Sequence, residues 1–117
     1  MRNTVSIGID IGGTNTVYGF ITEDGSVIDY EEIPTRGDES IINLIDRLDS
    51  RIKIFFEKKS DTKLLGIGIG APNGNHFSGR IQDPPNLSWG DVDIVSLFKE
   101  RFNCDTILTN DANAAAL

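Results

Sequence analysis

Val5-Ser6-Ile7-Gly8-Ile9-Asp10-Ile11-Gly12-Gly13-Thr14-Asn15-Thr16-Val17-Tyr18-Gly19-Phe20-Ile21 is the stretch on which the fold turns. Residues 5–9 read as a buried β-strand and residues 17–21 as a second strand. Residues 10–15 are therefore a tight strand-to-strand turn with an acid at its entrance, two adjacent glycines, a hydroxyl and an amide. Glycines let the backbone come close to a ligand and adopt φ > 0 at little cost. Bare N–H groups in a turn make a concavity suited to anions. Thr14 adds a hydroxyl for a phosphate oxygen. Asp10 can hold a hydrated Mg²⁺, because that ion keeps several waters and takes few carboxylates. The same Gly-Gly pair also suits a hairpin turn selected for geometry alone.

Composition narrows the classes. A chain of 117 residues has room for one domain with a real core. Its 38% hydrophobic and 25% charged residues are those of a soluble globular domain. A net charge of −7 argues against nucleic acid as a main partner, since phosphate backbones need clustered Lys and Arg. No stretch is long and apolar enough to span a membrane. Met1-Arg2-Asn3-Thr4 leads straight into the first strand, so no secretory signal is expected and a cytoplasmic location is. Cys104 is the sole cysteine, so there is neither an intrachain disulfide nor a Cys/His cluster for zinc.

Outward from the turn, Glu23-Asp24-Gly25 leads into a third strand at residues 27–33, whose partial alternation predicts a half-exposed strand. Three strands with short turns make an antiparallel meander, which Pro34-Thr35-Arg36-Gly37 interrupts. Ile41, Ile45, Leu48, Ile52 and Phe55 recur at helical spacing, with Asp38 or Ser40 as N-cap. Residues 64–71 form a glycine-rich apolar run bounded by Pro72, which reads as a central strand. The strand-helix-strand order favours a parallel crossover. A loop or irregular hairpin follows, then a short helix at residues 94–102 capped by Asp93, and a strand at residues 106–109. Asn110-Asp111-Ala112-Asn113-Ala114-Ala115-Ala116-Leu117 then begins a helix. The expected fold is α/β: a mixed sheet with an antiparallel three-strand meander, followed by parallel strands and packed helices.

A second chemical site lies at Asn110-Asp111, beyond a strand end. Ligands in open α/β sheets gather at the carboxyl ends of strands. If residues 5–9, 64–71 and 106–109 are parallel neighbours, Asp10 and Asp111 face one crevice. A phosphate turn and a carboxylate there suggest phosphoryl transfer to a hydroxyl, with Asp111 accepting the proton. Asp111 is equally suited to capping a helix. Asn73 and Asn86 could bond a polyhydroxylated ligand, although turn formation is the usual role of Asn. Trp89 could stack on a sugar face or anchor its loop, and His76 reads as a solvated loop residue.

The order of motifs resembles the N-terminal lobe of ROK-family sugar kinases (repressor, open reading frame, kinase), especially bacterial glucokinases. The stretches that carry the resemblance are Gly8-Ile9-Asp10-Ile11-Gly12-Gly13-Thr14-Asn15, Gly68-Ile69-Gly70-Ala71-Pro72, Pro85-Asn86-Leu87-Ser88-Trp89 and Asn110-Asp111-Ala112-Asn113-Ala114-Ala115. The resemblance implies an actin-like, ribonuclease-H-like lobe and ATP-dependent phosphorylation of a hexose 6-hydroxyl. It implies that Gly12, Gly13, Thr14 and Asn15 border the ATP phosphates and that Asp10 lies near Mg²⁺. Asn86, Asn110 and Asp111 would contact the sugar, with Asp111 as base. Asn73 stands where many members carry Gly, which touches sugar preference.

The resemblance also implies that residues 1–117 are one lobe of two. The second would bring the adenosine pocket, further sugar-binding acids and a structural zinc motif, in a full-length protein able to form a homo-oligomer. The lone lobe is expected to be inactive. Two other readings are a sugar-sensing transcriptional regulator and a noncatalytic sugar-binding module. With four residues before the first strand, no helix-turn-helix is expected ahead of it, and bare sugar binding needs no phosphate turn.

Overall fold

The computed structural model describes residues 3–75, 77–81 and 87–110. The chain opens with β1 (Asn3–Ile11), β2 (Asn15–Thr22) and β3 (Val27–Pro34), continues through α1 (Ile41–Lys58) to β4 (Thr62–Ala71), and makes a small hairpin of β5 (Gly74–Asn75) and β6 (Arg80–Ile81). It then forms α2 (Ile94–Phe102) and β7 (Asp105–Asn110). The main sheet has the strand order β3-β2-β1-β4-β7. β1 pairs antiparallel with β2, and β2 with β3, which is the expected meander. β4 runs parallel to β1, and β7 parallel to β4, as the helical connections predict.

One face of this sheet is built to be covered. Val5, Ile7, Ile9 and Ile11 are buried along β1, while Ser6 and Gly8 point the other way and are half-buried. A period of two is what places alternate side chains on one face. The parallel registers Ile7↔Ile67 and Ile9↔Ile69 on β4, then Ile67↔Thr106 and Ile69↔Leu108 on β7, carry that apolar row across three strands. α1 contributes Ile41, Leu44, Ile45, Leu48, Ile52 and Phe55 to the same core, and α2 contributes Ile94 and Phe98.

The helices begin and end where their caps dictate. Ser40, not Asp38, caps α1, its side chain accepting from the Asn43 amide. Asp93 caps α2 through the Ser96 amide, and Asn103 ends it in the left-handed conformation at φ 53°. Near the end of α1, Phe55 stacks on Phe20 of β2 with ring centroids 3.6 Å apart, and Phe56 meets both edge-on. That cluster pins the helix across the antiparallel half of the sheet.

Three expectations are corrected. β3 is not half-exposed: only Ile33 is buried, because the strand forms the sheet edge outside the core that α1 covers. Pro34 does not break the pattern but closes β3, pairing in register with Asn15, and an edge strand tolerates its missing N–H. Asn110 does not open a helix: it is the last residue of β7, held in the parallel ladder opposite Ala71. The helix expected from residue 111 onward lies outside the described residues.

Leu48 is fully buried on α1, whereas Ile54 on the same helix is 46% exposed. Leu48→Ala is expected to destabilise the chain by about 2–5 kcal/mol. Ile54→Ala should stay within about 0.5 kcal/mol. Urea unfolding followed by circular dichroism measures both, and equal midpoints would contradict this packing.

Candidate functional site

Parallel pairing brings three strand ends to one level. Asp10 of β1 is in register with Gly70 of β4, and Gly70 with Thr109 of β7. One residue further, Ala71 pairs with Asn110. Asp10 and Asn110 therefore sit at the same edge of the sheet with one strand between them, about 10 Å apart by ordinary strand spacing. Asp10 is exposed, and it follows the buried Ile9 on the face away from the core. Asn86 and Asp111, the other residues expected to contact sugar, lie outside the described residues, as does His76.

The turn beside Asp10 is a tight β1–β2 hairpin. The Gly12 amide donates to the Asn15 carbonyl at 2.9 Å, leaving Gly13 and Thr14 at the tip. Gly13, Thr14 and Asn15 are exposed. Of the reasons expected for the glycines, positive φ is not one the structure uses. Neither Gly12 nor Gly13 is among the residues with positive φ. A Cβ on Gly12 would instead lie 2.8 Å from the Asn15 carbonyl oxygen. Gly12 is required by close approach of the backbone to itself, not by a left-handed dihedral.

The turn is held from below by a residue the sequence reading passed over. Thr35 is fully buried just past β3. Its hydroxyl donates to the Gly12 carbonyl at 2.8 Å, and its amide donates to the Thr14 carbonyl at 2.9 Å. The Thr16 hydroxyl, also fully buried, lies 2.7 Å from the Thr35 hydroxyl. No local motif marks Thr35. The available signal was register: once Pro34 pairs with Asn15, the next residue must reach the turn.

The loops on the other side are ordered by their own chemistry. Asn73 adopts φ 57° in the β4–β5 turn, a conformation that suits Asn better than most residues. Gly74 packs against β7, where a Cβ would stand 2.7 Å from the Thr109 carbonyl. Trp89 anchors its loop: the indole Nε1 donates to the Glu39 carbonyl at 2.9 Å while the ring packs on the core.

Asp10 is a single exposed carboxylate at a strand end. That suits Mg²⁺, which takes one or two carboxylates and completes its shell with waters and substrate phosphates. Among the described residues, no group of three or more His, Cys, Asp or Glu gathers to hold a metal. Burial pushes the half-buried Cys104 thiol above its ordinary pKa, so it is a weak nucleophile at neutral pH. An open groove of about 790 Å³ lies at the opposite end of the sheet, between α1, the end of α2 and the start of β4. The strand carboxyl ends are the better candidate site, because they combine exposed backbone, an acid and a hydroxyl where open α/β sheets bind ligands.

Comparison with known proteins agrees with this geometry. The model of the ROK family matches residues 6–117. The chain is 36% identical over 116 residues to a glucokinase of Halalkalibacterium halodurans, covering 95% of this chain and 34% of that protein. It is 30% identical over 118 residues to a xylose repressor of Bacillus spizizenii, covering 95% of this chain and 29% of the repressor. Its fold is similar to the crystal structure of a ROK family glucokinase from Streptomyces griseus in complex with glucose and AMPPNP. That similarity has a TM-score of 0.79 at 25% identity over 96% of this chain and 35% of the other. The chain thus spans about a third of the length of these relatives. No helix among the described residues is long and apolar enough to cross a membrane. A match over nearly the whole chain, joined to the mixed sheet and the aligned strand ends, shows that this chain belongs to the ROK family.

Proposed function

We propose that this chain is the N-terminal lobe of a two-lobe sugar kinase that transfers the γ-phosphoryl group of ATP to the 6-hydroxyl of a glucose-like hexose. The observation that carries the reading is the alignment of Asp10, the Gly12–Asn15 hairpin and Asn110 at one edge of the sheet. Its support from relatives is the glucokinase similarity and the glucose and AMPPNP in the Streptomyces griseus structure. ATP as donor implies a cytoplasmic setting.

In this reading Gly13, Thr14 and Asn15 present exposed backbone and side-chain donors to the ATP phosphates. Asp10 would hold a hydrated Mg²⁺, which would neutralise charge at the phosphates. Asn86 and Asn110 orient the sugar, and Asp111 accepts the 6-hydroxyl proton as that oxygen attacks phosphorus. The oxygen–phosphorus bond to the sugar forms as the bond to the ADP leaving group breaks. Both substrates must be positioned and charge stabilised from several sides, so one lobe alone leaves the crevice open to water. The second lobe supplies the adenosine pocket and the structural zinc motif of the family, in a protein that can assemble as a homo-oligomer.

A sugar-sensing regulator is the second reading, favoured by the 30% identity to a xylose repressor. A coupled assay of ATP consumption on the full-length protein, scanned over glucose, mannose, N-acetylglucosamine and xylose, separates the two. Turnover with a hexose supports the kinase. Sugar binding without turnover supports the regulator. Residues 1–117 alone should show no turnover, and sugar or ATP affinity no tighter than about millimolar.

Two substitutions in the full-length protein test the roles. Asp111→Asn should lower kcat by about 10²–10⁴-fold with a smaller change in sugar KM, the usual worth of a positioned base. An unchanged kcat would leave Asp111 a structural residue. Gly12→Ala should raise the ATP KM more than the sugar KM, because its Cβ displaces the Asn15 carbonyl and distorts the hairpin. Equal effects on both substrates would separate this turn from the nucleotide.

A further inference from the structure

Residues 34–40 touch both walls of the crevice. On one side, Thr35 holds the hairpin through the Gly12 and Thr14 carbonyls. The Thr35 hydroxyl has one proton, and Gly12 receives it, so the Thr16 hydroxyl must be the donor in the 2.7 Å contact between the two threonines. The result is a directed chain, Thr16 to Thr35 to Gly12, in which each bond polarises the next. Arg47 of α1 fixes the strand end from behind, donating to the Pro34 carbonyl and, at 2.9 Å, to the Thr35 carbonyl.

On the other side, the same segment holds the loop that follows the expected sugar contact at Asn86. The Ser88 amide and hydroxyl both donate to the Gly37 carbonyl at 2.8 Å. The Trp89 indole donates to the Glu39 carbonyl. Only Arg36 separates Thr35 from Gly37, and it is fixed in the left-handed region at φ 54°. A segment this short and this constrained transmits displacement instead of absorbing it.

We propose that Thr35 is a positioning residue for the phosphate turn, and that residues 34–40 form a strap coupling that turn to the 87–89 loop. The coupling rests on the kinase reading for its ligands, while the strap itself can be tested without them. Seating a sugar beside the 87–89 loop would thereby favour the hairpin geometry that accepts the nucleotide.

Thr35→Val keeps the shape of the side chain and removes the hydroxyl, leaving the Thr16 hydroxyl and the Gly12 carbonyl each short of a partner. In the full-length protein this should raise the ATP KM about tenfold, the scale of one lost buried hydrogen bond, with sugar KM changed less. Thr35→Ser, which restores the hydroxyl, should recover ATP KM to within about threefold. Trp89→Phe keeps an aromatic ring on the core but removes the indole donor, and some ring volume, at the far end of the strap. It too should raise the ATP KM, and its combination with Thr35→Val should fall short of multiplicative. An ATP KM unmoved by Trp89→Phe would overturn the coupling. A serine variant no better than valine would overturn the role of the hydroxyl. Hydrogen exchange of the Gly12 amide in this chain provides a readout independent of catalysis. It should quicken about tenfold in Thr35→Val and not in Thr35→Ser. If the wild-type protein phosphorylates no hexose, the kinase reading fails, whereas unchanged Gly12 exchange in Thr35→Val would overturn the strap.

Discussion

The parallel pairing of β1 with β4 is the constraint on which the remaining structure depends. Parallel neighbours cannot be joined by a hairpin, so the chain must cross from one end of the sheet to the other between them. α1 makes that crossing, and its buried row from Ile41 to Phe55 covers the apolar side of the strands it connects. The second crossing, from β4 to β7, uses α2 in the same way. Two crossings in one direction leave three carboxyl ends at one edge. The position of the candidate site is therefore a by-product of strand direction: Asp10, Gly70 and Thr109 come level because the strands that carry them point the same way.

Within that frame the two faces of β1 have separate duties. Its isoleucines go to the helices and are fully buried. Its alternate positions, Ser6 and Gly8, meet Gly66 and Gly68 of β4 in register, so small residues line the opposite face where these two strands pair. Asp10 ends that second row. A carboxylate there lies outside the apolar core and avoids the cost of a buried unpaired charge.

The elements legible in the sequence are those set by local periodicity. The strand at residues 5–9, the four-three spacing of α1 and the cap at Asp93 each depend on neighbours a few residues away, and each stands in the structure as read. What was misread depends on partners far along the chain. The exposure of β3 follows from its place at the sheet edge, which its own alternation does not encode. Asn110 looked like a helix start because Asn and Asp favour that position, yet pairing with Ala71 keeps it in the strand. The candidate site divides similarly. The hairpin at Gly12–Asn15 was visible as a motif, though the positive φ expected of its glycines is absent and Gly12 answers instead to the Asn15 carbonyl. Thr35 was invisible because its role comes from register across two hairpins, not from residues beside it in sequence.

β3 has one more consequence, which concerns how copies of this chain meet. An edge strand offers unpaired backbone groups to any other strand, and this one also exposes Val27, Ile28 and Tyr30. Such an edge invites sheet-to-sheet growth between molecules. Asp29, Glu31 and Glu32 interrupt the apolar residues along the same strand, so a second copy aligned edge to edge would set carboxylates against carboxylates. With a net charge of −7 on each chain, that repulsion is reinforced at longer range. The acids of β3 thus act as gatekeepers along an exposed, partly apolar border, disfavouring edge-to-edge pairing between copies.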